Sequence, residues 1–250
     1  MAAGHADSIV TWLNERLSAS GARGFVVGLS GGIDSAVVAR LCQMAMPRRT
    51  LGVILPCYSH PKDEQDARLV ASAFGIPWVQ VDLGPTYDSL NEALGGALKG
   101  VPKHVDVADI KQQMPESNVK PRLRMTALYF FANSLNYLVT GTGNRCEISL
   151  GYYTKYGDGG VDLLPIGHLL KSEVRTLAGE LGVPQAIIDK PPTAGLWMGQ
   201  TDEEEMGFSY DMLERYLKDG RTAVPEAVAE RIEELRRTSG HKRALPPIPA

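Results

Sequence analysis

Apolar residues along this chain fall into two patterns that take turns: short unbroken runs, and longer stretches in which they recur at helical spacing. The run at 24–28 reads as a buried strand, and Ile33, Val37, Val38 and Leu41 then follow helical spacing, so the segment between them is a strand-to-helix turn. Residues 51–55 predict a second strand, Pro61 opens a helix that runs to 74 around Leu69 and Val70, and 77–83 predict a third strand. Residues 136–142 read as a further strand running into a glycine turn. Ahead of them all, Ile9, Trp12, Leu13 and Leu17 predict an opening amphipathic helix with Asp7 or Ser8 as its cap. Strands that alternate with helices in this way predict an α/β fold, a doubly wound, mostly parallel sheet with helices on both faces.

The pattern weakens from 87 to 115, where Gly95, Gly96, Gly100 and Pro102 interrupt it and predict short helices and a mobile loop. A helix then opens at Asn118 and continues through Leu128, Phe131 and Leu135. The stretch at 151–166 has too many glycines to be regular, yet too many aromatic and charged residues to be a linker, a makeup that usually binds something. Leu169, Val174, Leu177 and Leu181 mark a helix from Lys171 to Gly182. Thr201 and Glu204 stand at capping-box spacing, so the acidic run at 202–205 reads as a helix start rather than a metal site. Two more helices, near 210–217 and 225–238, precede His241, Lys242, Arg243 and a proline-rich tail.

A chain of 250 residues can bury one full core, and 1–250 is expected to be a single domain. Its net charge of −3 and scattered basic residues argue against a nucleic-acid surface, and no apolar stretch reaches membrane-spanning length. The first residues lack the basic start and apolar run of a signal peptide. Cys42, Cys57 and Cys146 are odd in number and form no C-x-x-C pair, which predicts free thiols in a reducing compartment, the cytoplasm.

Chemistry concentrates at the first turn. Gly28, Leu29, Ser30, Gly31, Gly32, Ile33, Asp34 and Ser35 join a strand end to a helix start, where backbone N–H groups and the helix dipole suit an anion. Ser30 and Ser35 add hydroxyl donors, but a carboxylate at Asp34 would repel a phosphate unless a cation such as Mg²⁺ sat between them. The turn is neither a Walker A loop nor a dinucleotide fingerprint. Ligands of open parallel sheets lie beyond the carboxyl ends of strands, so 55–59, 81–85 and the residues after the 136–142 strand should border the same cleft. There Thr142 offers a hydroxyl and Glu147 a carboxylate able to share a metal with Asp34. Arg122 and Arg124 lie two apart on a helix and so on different faces, one suited to a ligand and the other to an ion pair or the surface.

Ser-Gly-Gly-x-Asp-Ser resembles the pyrophosphate loop of the ATP pyrophosphatase superfamily, whose Rossmann-like members split ATP between its α and β phosphates. With Asn-x-x-x-Arg-x-Arg-Met, Gly-Thr-x-Asn-x-x-Glu, Tyr-Thr-Lys-Tyr-Gly-Asp, Pro-Thr-Ala-Gly-Leu-Trp, Gln-Thr-Asp-Glu and His-Lys-Arg following in order, the chain resembles the ammonia-dependent NAD synthetases. That resemblance implies ATP as co-substrate held by the 28–35 turn with Thr142, Lys171 and Thr193, Mg²⁺ on Asp34 and Glu147, and deamido-NAD against Arg122, Lys155, Asp162, His241 and Lys242. It also implies a homodimer with the dinucleotide at the subunit interface and the tail folded over it. Nothing before Gly24 could supply the amidase domain of glutamine-dependent relatives, so free ammonia is the implied nitrogen donor. Asp158 and Asp162 are the candidate carboxylates to take a proton from ammonium. Pro192 to Gly207 and the loop before Asn118 are expected to order around ligands. Another adenylating enzyme of the superfamily and a nucleotide-binding regulator are the rival readings.

Overall fold

The computed structural model describes residues 3–102, 104–105, 113–191 and 202–249. Four parallel strands, β1 (Phe25–Gly28), β2 (Thr50–Ile54), β3 (Trp78–Gln80) and β4 (Leu138–Thr140), form one sheet in the order β3-β2-β1-β4. Side chains alternate across β1: Phe25 and Val27 enter one core while Val26 enters the other, and all three are wholly buried.

The Phe25 face is covered by α1 (Ala3–Ser20), α2 (Ile33–Ala45), α3 (Pro61–Phe74) and α8 (Lys171–Glu180). The Val26 face is covered by α6 (Val119–Leu135), beside which α4 (Gly84–Leu98) packs. Helices on both faces of a parallel sheet make the doubly wound α/β fold expected from the sequence. Short helices α5 (Gln113–Ser117), α7 (Arg145–Leu150), α9 (Gln185–Ile188) and α10 (Asp202–Met206) complete the frame. The chain ends with α11 (Tyr210–Asp219), α12 (Glu226–Thr238) and a 3-10 turn at Gly240–Lys242. A third core joins Cys146 and Leu150 of α7 to Leu213 and Ile232, so the C-terminal helices dock where β4 ends.

Two expectations change. Asp7 and Ser8 are not caps, because α1 already runs from Ala3 and the Ser8 hydroxyl donates back to the His5 carbonyl inside it (2.9 Å). The weak pattern after 87 hides one continuous helix, α4, with Pro85 in its first turn and Gly95 and Gly96 inside it. Each interior glycine costs a helix about 1 kcal/mol, too little to end one that is already primed by a proline.

Candidate active site

The chain leaves β1 for β2 on one side and returns to β4 on the other, and at such a reversal the connections diverge and leave a crevice at the carboxyl ends. A cavity of about 580 Å³ opens there, within the size range of small-molecule sites. Leu29 continues the ladder by donating its N–H to the Val53 carbonyl (2.9 Å), and the chain then turns. Ser30 and Ser35 tie the turn to itself: the Ser30 hydroxyl meets that of Ser35 (3.0 Å), Ser35 donates to the Gly32 carbonyl (2.9 Å), and Gly32 N–H reaches the Ser30 hydroxyl (3.2 Å). Gly32 is the N-cap of α2 and has no side chain to satisfy the helix's first N–H groups. Gly31 adopts a left-handed φ of 76° and lies against α3, where a Cβ would come within 2.4 Å of the Asp63 carbonyl. Its neighbours Gly28, Leu29, Ser30, Gly32, Ile33, Asp34 and Ser35 line the cavity.

A second wall comes from the other side of β4. Thr142 and Glu147 both line the cavity, as the sequence suggested. Asn144 is fully buried and forms a capping box with Glu147 at the start of α7, its amide oxygen accepting from Glu147 N–H (3.1 Å). The same amide nitrogen donates to Asp34 (3.0 Å) and to Glu147 (2.8 Å), which draws two carboxylates from opposite sides of the crevice together. Lys171, first residue of α8, joins them at 2.5 Å from Asp34 and 3.7 Å from Glu147. Burial works against its charge, but the two carboxylates outweigh that and hold the ammonium more strongly protonated than usual. Glu147 keeps a fifth of its side chain open to the cavity and is enclosed by protein elsewhere; that enclosure, with the Asp34 charge, pushes its carboxyl up.

The C-terminal helices set Lys171 from behind. Glu214 of α11 accepts from the Ser172 N–H (2.7 Å) and hydroxyl (2.5 Å), capping α8 at the turn that carries the lysine. Tyr210 places its ring 5.3 Å from the Lys171 ammonium and donates its hydroxyl to Asp202 (2.9 Å). Asp202 is buried and lines the cavity, so the acidic run both starts α10 and faces the site. Among the described residues no three His, Cys, Asp or Glu side chains converge as a metal cluster.

Comparison with known proteins identifies the family. The model of the NAD synthase family matches residues 5–246. The chain is 47% identical to an NH(3)-dependent NAD(+) synthetase of Carboxydothermus hydrogenoformans, over 97% of this chain and 96% of that protein. It is 49% identical to one of Alkaliphilus oremlandii, over 97% and 95%. Among solved structures, NMN synthetase from Francisella tularensis superposes with a TM-score of 0.90 and 37% identity, covering 100% of this chain and 98% of that one. NAD+ synthetase from Burkholderia pseudomallei gives 0.77 and 32%, over 98% and 91%. The chain belongs to the NAD synthase family.

The residues that the NAD synthase resemblance implied for the dinucleotide distribute unevenly in this single chain. Lys242 lines the cavity, and so does Asp158, the candidate for ammonium rather than for the dinucleotide, its carboxylate accepting from Thr154 N–H (2.8 Å). Lys155 and His241 stand just outside it, joined to each other by the Lys155 ammonium and the His241 carbonyl (2.7 Å). Asp162 is exposed and accepts from Val139 N–H of β4 (2.8 Å) and the Tyr129 hydroxyl (2.9 Å). Arg122 is at the surface, whereas Arg124 lines the cavity, donating to the Leu55 carbonyl (3.1 Å) and the Ser59 hydroxyl (3.2 Å). Leu55 and Ser59 border the cleft as expected, but 81–85 do not line it, because β3 is an edge strand two places from β1 and three from β4. Thr193 and most of 192–207 lie outside the described residues, as does the loop before Asn118 from 106 to 112.

Sequence reasoning passed over Asn144, Lys190, Tyr210 and Glu214. The Asn-x-x-Glu spacing of a capping box was a readable signal for the first. For the other three the sequence carried none, since their partners are remote in the chain.

Proposed function

We propose that this NAD synthase family member is a carbon–nitrogen ligase that amidates deamido-NAD to NAD with ammonia and ATP, passing through an adenylate and releasing AMP and pyrophosphate. The observation that carries the reading is the convergence of the 28–35 turn, Asp34, Glu147 and Lys171 on one crevice in a chain nearly half identical to NH(3)-dependent NAD(+) synthetases over almost their whole length.

A carboxylate is a poor acyl donor because its oxygen leaves badly. Attack on the α-phosphorus of ATP makes that oxygen part of AMP, and ammonia then displaces AMP at the carbonyl. The N–H groups of the 28–35 turn and the hydroxyls of Ser30, Ser35 and Thr142 hold the triphosphate, with Thr193 beside it, and the Lys171 ammonium balances the charge that gathers on departing pyrophosphate. Asp34 and Glu147 are the residues that would hold Mg²⁺, an ion that takes one or two carboxylates and fills its shell with phosphate oxygens and water. The donor set fits: one amide gathers two carboxylates side by side in the cavity lining. When bound, the ion neutralises phosphate charge as the α–β bond breaks. Asp158, in the cavity wall, is the better placed of the two carboxylates to accept a proton from ammonium; Asp162 already serves Val139 and Tyr129.

The molecule works as a single domain in a homodimer in the cytoplasm, where its three buried thiols stay reduced. Support for the dimer is an apolar face on two packed helices: Leu90, Leu94 and Leu98 of α4 and Phe130 of α6 are all exposed, Phe130 by 68%. Arg122, Thr126 and Phe130 are exposed at successive i,i+4 positions of α6, so a second copy on this face meets Arg122 too. In that arrangement Arg122, Lys155, Asp162, His241 and Lys242 hold the dinucleotide at the interface. No helix among the described residues is long and apolar enough to cross a membrane.

Incubation with ATP, Mg²⁺, deamido-NAD and ammonium tests the reading: NAD, AMP and pyrophosphate should appear in equal amounts, and NAD formation without AMP would overturn it. The Francisella neighbour, named for NMN, supports a second reading in which the acid is the mononucleotide. A larger kcat/KM for nicotinate mononucleotide than for deamido-NAD would establish it.

A further inference from the structure

Lys190 lies just beyond α9, far from the turn in sequence but against it in space, and it lines the same cavity. Its ammonium is 2.7 Å from Asp63 and 3.0 Å from Asp66, both on α3, and 3.3 Å from the Gly31 carbonyl. A lysine ammonium has three protons, and these three acceptors use them all, so none is left over for a phosphate. We infer that Lys190 is a positioning residue for the phosphate-binding turn: it locks the Gly31–Gly32 peptide in one orientation.

The Gly31 carbonyl and the Gly32 N–H belong to one rigid peptide plane and point in opposite directions. Holding the carbonyl toward α3 therefore aims the N–H back toward the loop, where it meets the Ser30 hydroxyl (3.2 Å). With glycine on both sides, nothing in the local backbone prevents this plane from flipping. A flip would turn a carbonyl oxygen toward the triphosphate. The clamp also neutralises Asp63 and Asp66, the latter 2% exposed and held from its other side by Lys62 (2.8 Å).

The inference rests on the reading of the cavity as an ATP site. It is tested by calorimetric binding of the α,β-methylene analogue of ATP with Mg²⁺, which needs no second substrate, together with KM values for ATP and deamido-NAD. Lys190→Met is expected to weaken analogue binding about tenfold and to raise KM for ATP alike, with KM for deamido-NAD within twofold of wild type. Lys190→Arg, which keeps the charge and the donors, should recover most of the loss. The double variant Asp63→Asn with Lys190→Met removes the uncompensated carboxylate and keeps Asp66 paired with Lys62, so it guards against a folding defect. If the lysine positions the peptide, the double variant stays about tenfold weak; recovery to wild-type binding would reduce its role to charge balance and overturn the inference. Undiminished binding by Lys190→Met, or an equal rise in both KM values, would also overturn it. Absence of analogue binding by wild type would refute the ATP site itself, and this inference with it.

Discussion

Two walls of the cavity hold their cations in different ways. In the wall built by the 28–35 turn, α7 and α8, ammonium groups meet carboxylates: Lys171 pairs with Asp34 and Glu147, and behind the turn Lys190 pairs with Asp63 and Asp66. Past the end of α7, ammonium groups meet neutral carbonyls: Lys242 donates to Gly151 (2.7 Å) and Tyr153 (2.6 Å), and just outside the cavity Lys155 donates to His241. A carboxylate cancels a lysine's charge, whereas a carbonyl orients it and leaves it uncancelled. The first wall is thus balanced. The second keeps positive charge in place for an anionic ligand. Burial lowers the proton affinity of Lys242 by more than the nearby Asp158 carboxylate restores.

Replacing Asp34 by Asn should give the largest effect, because it removes a carboxylate proposed to hold the metal and a Lys171 partner together. We expect kcat for pyrophosphate release to fall by about 10²–10³-fold with KM for deamido-NAD little changed. An unchanged kcat would mean that the balanced wall does no chemistry and would erase the contrast. Gly31→Ala breaks the same wall mechanically, since φ is 76° and the new Cβ meets the Asp63 carbonyl. It should cost about 2 kcal/mol of stability in urea unfolding and weaken ATP more than the dinucleotide. On the second wall, Lys242→Met should raise KM for deamido-NAD about tenfold, worth about 1.4 kcal/mol, and leave KM for ATP unchanged. A shift in KM for ATP instead would show that the walls do not divide the substrates.

The smallest effect concerns proton balance. Enclosure by protein and the Asp34 charge push the Glu147 carboxyl up to about 8 from an ordinary 4.5. A carboxyl raised in the folded state stabilises it below the unfolded value and gives that stabilisation up as pH rises through the folded one. Between pH 5 and 8, without metal, wild type should therefore lose about 2–4 °C in Tm relative to Glu147→Gln, measured by thermal unfolding. Parallel profiles for the two proteins would show that Lys171 already balances the pair.

The sequence made one half of the site legible and blurred the other. The 28–35 turn is contiguous, so its glycines, hydroxyls and Asp34 announce themselves together, and each strand before a candidate loop was readable from its apolar run. Thr142 and Glu147 were reachable because β4 ends just before them. Arg124 could not be told from Arg122 until the packing of α6 placed one in the cavity wall and the other outside. Lys190 was invisible because its acceptor at Gly31 is 159 residues away and a lysine before prolines has no local signature. Glycines in α4 misled for the opposite reason: a local penalty was read as decisive where it was small beside the helix around it.

The sequence by itself determined the alternation of strands and helices, the glycine-rich strand-to-helix turn and the presence of a carboxylate inside it, because all of these follow from short-range spacing and backbone sterics. Only the tertiary structure decided which charges meet. Lys171 and Asp34 are 137 residues apart, and their pairing depends on α8 docking beside α2 with Glu214 capping it from α11. Charge pairing falls off within a few ångströms, and only packing brings such distant groups that close.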